Sequence, residues 1–475
     1  MLKFQNTAIA LCIALLLPDA AMAEVGHPSL PGSDLSFLWA IPFICMLLSI
    51  AVMPLFLSHI WENHFGKIAA FWGMAFLVPC MIFYGYHVAT YEFLHIILLD
   101  YIPFLVLLFS LFTITGGIRL KGKLAGTPGV NTCILAVGTL LASWLGTTGA
   151  AILFIRPLLR ANAHRRFRAH SVIFFIFLVA NIGGSLTPLG DPPLFLGFLK
   201  GVGFFWPITN LWVKTSLLAL ILLSIFFVLD TVLFNKEGRP CPPTQPPAMV
   251  EKFGVEGKIN LLLLLGIVLA VFLSGLYPMG ELISVNGIAM EGQNLLRDGL
   301  LLCIAGLSLK LTSRRTREGN GFSWGPIEEV AKLFFGIFIS MIPVIAILRA
   351  GPDGAFAPLV RLVSHDGQPI NSMYFWLTGI LSSFLDNAPT YLVFFNTAGG
   401  DAQYLMQETP TTLAAISAGA VFMGANSYIG NAPNFMVRSI AESSGVRMPG
   451  FFGYMAWSAG ILLPLFGMLT WLFFA

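Results

Sequence analysis

Charge is scarce in this chain. Of 475 residues, 23 are Asp or Glu and 26 are Lys or Arg, together 10 %, against 57 % hydrophobic residues. Soluble domains carry about 25 % charged residues, so a water-exposed globular body is excluded. The net charge of +3 implies no nucleic-acid partner. The six cysteines, at 12, 45, 80, 133, 241 and 303, lie singly and mostly inside apolar stretches. That spacing rules out a metal cluster or a disulfide framework and leaves them as small core residues. A GxxxxGK[ST] phosphate loop is missing, so a primary ATP pump would need another subunit. No nucleophile or metal-ligand constellation points to an enzyme, and no cofactor is implied.

Apolar length is what the chain has instead. Its mean hydropathy is +0.83, and apolar segments fall at about 36–57, 68–88, 94–118, 131–157, 170–200, 206–233, 259–276, 296–310, 329–349, 371–398, 411–440 and 449–474. Stretches of this length span a bilayer as helices, which makes lipid the first expected partner. Ahead of them, Lys3, an apolar run over 8–17 and Ala21-Met22-Ala23 before Glu24 have the three parts of a secretory signal. Cleavage is expected after Ala23, an uncleaved first helix being the alternative.

Loop charge fixes the topology. If 131–157 and 371–398 enter and leave on one side as re-entrant hairpins, ten crossings remain. Cytoplasmic loops then hold 19 basic residues, namely Lys67, Arg119, Lys121, Lys123, Arg156, Arg160, Arg165, Arg166, Arg168, Lys236, Arg239, Lys252, Lys258, Lys310, Arg314, Arg315, Arg317, Arg438 and Arg447. The outer loops hold only Lys200, Arg349 and Arg361. This 19 to 3 asymmetry satisfies the positive-inside rule, whereas two full crossings in place of the hairpins would put several basic loops outside.

The stretches 136–198 and 376–438 also match each other at a constant offset of 240, with ten identities over 63 positions. The offset superimposes Gly146-Thr147-Thr148-Gly149 on Asp386-Asn387-Ala388-Pro389, and Gly190-Asp191-Pro192-Pro193 on Gly430-Asn431-Ala432-Pro433. Five crossings separate the hairpins, so the halves are inverted, an arrangement suited to alternating access. The expected fold is an all-α polytopic membrane protein with inverted repeats, about ten transmembrane helices, broken helices and two re-entrant hairpins. Its expected divisions are a signal peptide (1–23), scaffold helices (24–130), a first transport repeat (131–205), scaffold helices with a cytoplasmic loop (206–370), a second transport repeat (371–440) and a C-terminal helix (441–475).

Non-helical backbone at membrane depth survives only where protein or a wet cavity satisfies it. The breaks therefore mark the interior, where freed carbonyls and the oxygens of Asn181, Ser185, Thr187, Asp191, Asn426, Ser427 and Asn431 suit a hard cation. Each half offers one carboxylate: Asp191 corresponds to Asn431, and Asp386 to Gly146. A mid-membrane Asp costs about 2.5–3.5 kcal/mol on insertion scales, so both are functional candidates. Desolvation favours the protonated carboxyl and a bound cation favours the ionised one, so sodium and a proton can exclude each other there. Plainer readings stand beside these. Asp191 and Asp386 can be helix caps, and Thr147 and Thr148 can bond to their own helix. Asp100 reads as an interfacial cap, His87 and His95 as interfacial residues flanking an outer turn with Glu92, and the 160–168 run as a topogenic loop.

The stretches GTTGAAILFIRPLLRAN (146–162), NIGGSLTPLGDPPLFLGF (181–198), LDNAPTYLVFFN (385–396) and GANSYIGNAPNFMV (424–437) resemble those of bacterial D-type sodium/proton antiporters and their citrate-transporter-like relatives. These belong to the ion transporter superfamily, with the arsenite pumps and dicarboxylate/sodium symporters, and the likeness covers about 36–475. It implies a dimerising scaffold, a mobile transport unit with two re-entrant hairpins and elevator-like movement in the bacterial inner membrane. It also implies site roles for Asp191, Asp386, Thr147, Thr148, Asn181, Asn387, Asn426 and Ser427. The symporters' Ser-Asn-Thr hairpin tips are absent, the tips reading Gly146-Thr147-Thr148 and Asp386-Asn387-Ala388. Exchange of Na+ or Li+ for H+ is the leading expectation, with Asp191 and Asp386 as the sodium-binding carboxylates. Cation-coupled uptake of citrate or a dicarboxylate is the alternative.

Overall fold

The computed structural model describes residues 29–122, 124–240 and 254–475. The expected signal peptide lies outside them, as do Cys12 and Cys241. Nine helices among the described residues are long and apolar enough to cross a membrane. Eight coincide with expected crossings: Phe37–Pro54, His59–Tyr84, Tyr86–Thr115, Ala169–Leu186, Trp206–Lys236, Ile259–Leu276, Gly325–Arg349 and Phe451–Phe473. The chain is therefore an all-α polytopic membrane protein.

One expected crossing differs: Gly292–Leu311 is helical but carries Arg297, Asp298 and Lys310, which make it too polar to rank with the others. The 411–440 segment is a broken helix, as expected of the second repeat: Pro410–Met423 and Ala432–Ser443 are separated by a 3-10 turn at Gly424–Asn426 and non-helical residues 427–431.

The ninth helix, Pro128–Leu145, is the first leg of a hairpin. Gly146 turns the chain at φ 76°, a left-handed conformation that glycine adopts without steric cost, and Thr147–Ala161 returns. At the open end, the Asn131 and Asn162 side chains bond reciprocally at 2.9 and 2.7 Å, so both legs end on one face. Asn371–Phe384 and Asn387–Thr397 form the second hairpin, with the Tyr374 and Phe394 rings 6.4 Å apart across its legs.

The two hairpins open to opposite faces. Near the first, Arg160 donates to the Leu120 carbonyl, Arg165 pairs with Asp230 and Glu237, and Arg168 reaches the Gly445 carbonyl. Strand Arg119–Lys121 pairs with Gly254–Glu256, and Arg317 and Asn320 bond to the Thr113 and Gly116 carbonyls. These contacts gather the basic loops on one side. The second hairpin instead ends beside Arg349, whose Nε donates to Asn396 Oδ1 at 3.1 Å.

The broken helix is the most buried of the nine spans. Of the span Ala169–Leu186, 89 % is buried, against 22 % for Trp206–Lys236, Ile259–Leu276 and Phe451–Phe473, which present Val228, Leu262 and Trp471 outward. The same outward facing corrects the reading of the cysteines: Cys80 is buried and Cys45 half-buried, but Cys133 and Cys303 are exposed. Three side-chain readings also change. Asp100 is no interfacial cap, because it lies buried within a π-helical turn, Ile97–Tyr101, of a continuous span. Glu92 sits inside the helix Tyr86–Ile96 rather than in a turn, which falls at Gly85. Within the 160–168 run, Arg165 is a fully buried ion-pair partner of Asp230 at 2.5 Å and so does more than set topology.

Candidate functional site

Both breaks are braced alike. Ser143 Oγ donates to the Gly183 carbonyl at 2.5 Å and accepts from the Leu186 amide at 3.0 Å, while Thr187 Oγ1 donates to the Ser143 carbonyl. At an offset of 240, Ser383 Oγ faces the carbonyls of Gly379 in its own helix at 2.7 Å and of Met423 at 3.1 Å, accepts from Asn426 Nδ2 at 2.9 Å, and has its own carbonyl bonded by Ser427 Oγ. Each break folds tightly on itself. A Cβ on Gly190 would lie 2.0 Å from the Gly184 carbonyl oxygen, and one on Gly430 2.6 Å from that of Gly424. Only glycine fits such an approach.

Asp191 occupies the N-cap position of Pro192–Leu199 but caps nothing. Pro192 and Pro193 have no N–H, and the Leu194 amide bonds to the Asp191 main-chain carbonyl instead. The carboxylate is left for other donors. Oδ1 accepts from Thr147 Oγ1 at 2.7 Å and from Asn431 Nδ2 at 3.1 Å, and Oδ2 accepts from Asn387 Nδ2 at 2.5 Å. Thr147 and Asn387 are equivalent residues of the two hairpin tips, and Asn431 is the equivalent of Asp191 itself. The carboxylate therefore sits where the two halves meet, 2 % exposed.

No cation is in contact with it: among the described residues neither Asp191 nor Asp386 forms an ion pair. What holds its charge is neutral donors and helix ends. Thr147–Ala161, Asn387–Thr397, Pro192–Leu199 and Ala432–Ser443 all begin at these residues, and helix N-termini carry partial positive charge.

Asp386 plays a different part. Its Oδ1 accepts from the Ala388 amide at 3.0 Å, capping the second tip helix. The cap reading thus holds for Asp386 and fails for Asp191, because Asn387 and Ala388 follow the first where Pro192 and Pro193 follow the second.

A cavity of about 480 Å³ leads to this point from the side of the basic loops, passing Glu62 and Glu329 and ending on Thr147, Thr148, Asp191, Asn431 and Asp386. Among the described residues its lining includes four carboxylates, Glu62, Asp191, Glu329 and Asp386, and no Lys, Arg or His. Two buried amide oxygens near the tips and breaks, Asn387 Oδ1 and Asn426 Oδ1, have no hydrogen-bond partner. A buried carboxylate held by neutral donors, beside unpartnered oxygens, can exchange a proton or a hard cation without first losing a fixed counter-ion.

Residues 32–474 match the family model described as "Putative citrate transport". The chain belongs to that family. No curated protein matches it significantly. As a member of the citrate-transport family the protein is a multi-pass secondary transporter, which also makes enzymatic activity unexpected.

In this citrate-transport family member, the remaining candidate residues divide between the site and its supports. Thr147 bonds to Asp191 rather than to its own helix, and Thr148 is half-buried on the cavity wall. Asn181 touches the site from behind: its Nδ2 donates to Asn434 Oδ1 at 2.7 Å and its Oδ1 accepts from Asn431 at 3.2 Å. Thr187 and Ser427 are braces with both hydroxyl roles filled by backbone. Asn426 stands with them, its carbonyl bonded by Ser458. The structure adds residues that sequence reasoning passed over. Asn434 is fully buried and donates to the Gly424 and Ser427 carbonyls at 2.8 and 2.9 Å. Its equivalent is Leu194, so comparison of the halves hid it. Ser143 and Ser383 are an identity of the repeat that reads as packing until the braces are seen. Glu62 and Glu329 lie outside both repeats, and no motif marks them.

Proposed function

We propose that this protein exchanges Na+ or Li+ for H+ across the bacterial inner membrane by alternating access, with Asp191 as the shared binding carboxylate. One observation carries this reading: among the described residues the cavity reaching Asp191 is lined by four carboxylates and by no basic residue. Such a passage concentrates cations and repels a tricarboxylate. In the cation-bound state Asn387 turns its unpartnered Oδ1 toward the ion, and Thr147 offers its hydroxyl oxygen in place of its proton. Asp386 lines the approach and tops up its negative field. Asn181 and Asn431 hold the carboxylate in place, and Thr187, Asn426 and Ser427 fix the breaks. No cofactor takes part, and the moving ions are substrates.

On the same reading, residues 131–205 and 371–440 form the core of the moving unit; the spans Trp206–Lys236 and Phe451–Phe473, expected as scaffold, move with it because Asp230 pairs with Arg165, Thr215 bonds to Ser185 and Ser458 holds the Asn426 carbonyl, and 24–130 and 254–370 form the frame, which pairs in a homodimer. The second reading is cation-coupled transport of citrate or a dicarboxylate. The family description favours it, and a cavity of about 480 Å³ has room for such a substrate.

Everted vesicles separate the two. In vesicles from cells expressing the protein, added sodium should collapse a preformed pH gradient, and lithium should do the same. Uptake of labelled citrate with the gradient untouched by sodium would replace exchange with the second reading.

A further inference from the structure

The helix that begins at Asp191 ends at Lys200, on the opposite side from the cavity. There Lys200 Nζ lies 2.6 and 2.7 Å from the two carboxylate oxygens of Asp100. Asp100 is carried by the π-helical turn Ile97–Tyr101 of the span Tyr86–Thr115. Such turns recur at functional sites, where they interrupt the regular ladder. We propose that the Asp100–Lys200 pair is a latch that closes the outer face of the transporter and parts in each cycle. This rests on the division into moving unit and frame given above, since Lys200 belongs to the first and Asp100 to the second.

The surroundings support a closure at this point. On the outer side a separate cavity of about 420 Å³ is lined by Glu92, His95, Asp100, Lys200 and Arg349, and Asp191 is not on its wall. The pair therefore stands between the outer vestibule and the helix leading to the site. Two further contacts join the same halves on this side: Arg349 to Asn396 at 3.1 Å, and the Arg297 guanidinium 5.8 Å over the Phe195 ring. Among the described residues no ion pair crosses the cavity from the basic face, so the molecule is open on that side and shut on the other.

Exposure distinguishes this pair from a permanent brace. Arg165 and Asp230, which hold the base of the first hairpin, are both 0 % exposed, and parting them would strand two charges in a dry interior. Lys200 is 17 % exposed and opens on the vestibule; Asp100 is only 2 % exposed but lies on the vestibule wall, where Glu92 and Arg349 offer charges of opposite sign to the parted Lys200 and Asp100. Parting this pair wets Lys200 and leaves Asp100 beside Arg349, instead of stranding both charges in a dry interior.

The inverted repeat supplies the reporter. Thr148 lines the present cavity, while its equivalent at offset 240, Ala388, is fully buried. Opening the outer face by exchange of the two repeat conformations should uncover position 388 and cover 148. With the native cysteines replaced by serine, a membrane-impermeant maleimide is applied to each face of oriented vesicles carrying Ala388→Cys or Thr148→Cys.

Asp100→Asn with Lys200→Met removes both charges at once and leaves neither stranded. It should raise outside labelling at 388 about fivefold, the shift expected from losing one modest ion pair, and lower inside labelling at 148. Exchanging the charges, Asp100→Lys with Lys200→Asp, should restore the original rates. Should that protein fail to accumulate, Lys200→Arg keeps the pair and should label like the parent. Equal labelling of the neutral and paired proteins overturns the latch. Labelling requires neither sodium nor citrate, so failure of the proposed ion exchange leaves this result readable.

Discussion

Replacing Asp191 by Asn removes one charge and almost no volume, which makes it the sharpest probe of the site. The fold should survive. The new amide oxygen can take the place of Oδ1 and keep the donors Thr147 and Asn431, while its NH2 group faces Asn387. Asn387 then needs only to rotate its amide, because its Oδ1 is unpartnered in the parent protein. The loss to sodium is large. A carboxylate oxygen about 2.4 Å from a hard cation contributes about 332/(20 × 2.4), or roughly 7 kcal/mol, at an effective dielectric of 20. Part of that is offset because an amide is cheaper to bury than a carboxylate. If half remains, about 3.5 kcal/mol, affinity falls by roughly 300-fold at 1.4 kcal/mol per factor of ten. The assay is the sodium concentration giving half-maximal collapse of a pH gradient in everted vesicles, read beside the melting temperature of the purified protein. An Asp191→Asn protein that melts with the parent and keeps half-maximal sodium within about tenfold of it would refute the placement of the ion.

Three further outcomes follow from the same geometry. Pro193→Ala returns an N–H to the second helical position, where a cap on Asp191 competes with sodium; about 1 kcal/mol of capping should weaken half-maximal sodium about fivefold. Asp386→Asn keeps a capping oxygen and Asp386→Ala does not, so only the alanine protein should lose about 1 kcal/mol of stability by thermal melting, while both should lose exchange rate with the cavity charge. Asp191→Asn combined with Asn431→Asp moves the carboxylate to its equivalent position, which should recover measurable sodium-driven exchange that Asp191→Asn alone lacks. Equal inactivity of the two proteins would show that the halves are not interchangeable around the ion.

Much of this was legible in the sequence for a definite reason. Helices in a bilayer need long apolar runs and breaks need glycine and proline, so spans, hairpins and broken helices leave marks that survive without an alignment. The offset of 240 aligns Ser143 and Thr187 with Ser383 and Ser427, although the brace that each pair forms shows only in the structure. What could not be read is how neighbouring residues divide the work. Asp191 and Asp386 look alike as lone acids in polar breaks, and their roles separate only through the amides that follow them: two prolines leave Asp191 uncapped, whereas Ala388 takes one oxygen of Asp386. Asp100 was misjudged because its partner lies 100 positions away at the far end of another element. Glu62 and Glu329 meet only through the packing of spans outside the repeat.

The asymmetry between the halves has a physical basis at the point where they meet. Polar atoms of the equivalent residues 191 and 431 lie 3.1 Å apart. Two carboxylates at that spacing would repel by about 332/(20 × 3.1), or roughly 5 kcal/mol, at an effective dielectric of 20. One of them would then stay protonated whatever the other bound. An Asn at 431 avoids this, donating to the single carboxylate instead of competing with it. Each hairpin tip meanwhile contributes one equivalent residue, Thr147 to one oxygen and Asn387 to the other. On the proposed alternating access, exchange of the repeat conformations would trade the places of the tips relative to the open cavity and leave the same carboxylate between them with the same kinds of neighbour. An ion delivered from one face would then be released to the other without crossing to a second site. On the proposed function it follows that this carboxylate trades one proton for one sodium, and any further proton must be carried by another carboxylate of the cavity, of which Asp386 stands at the hairpin tip.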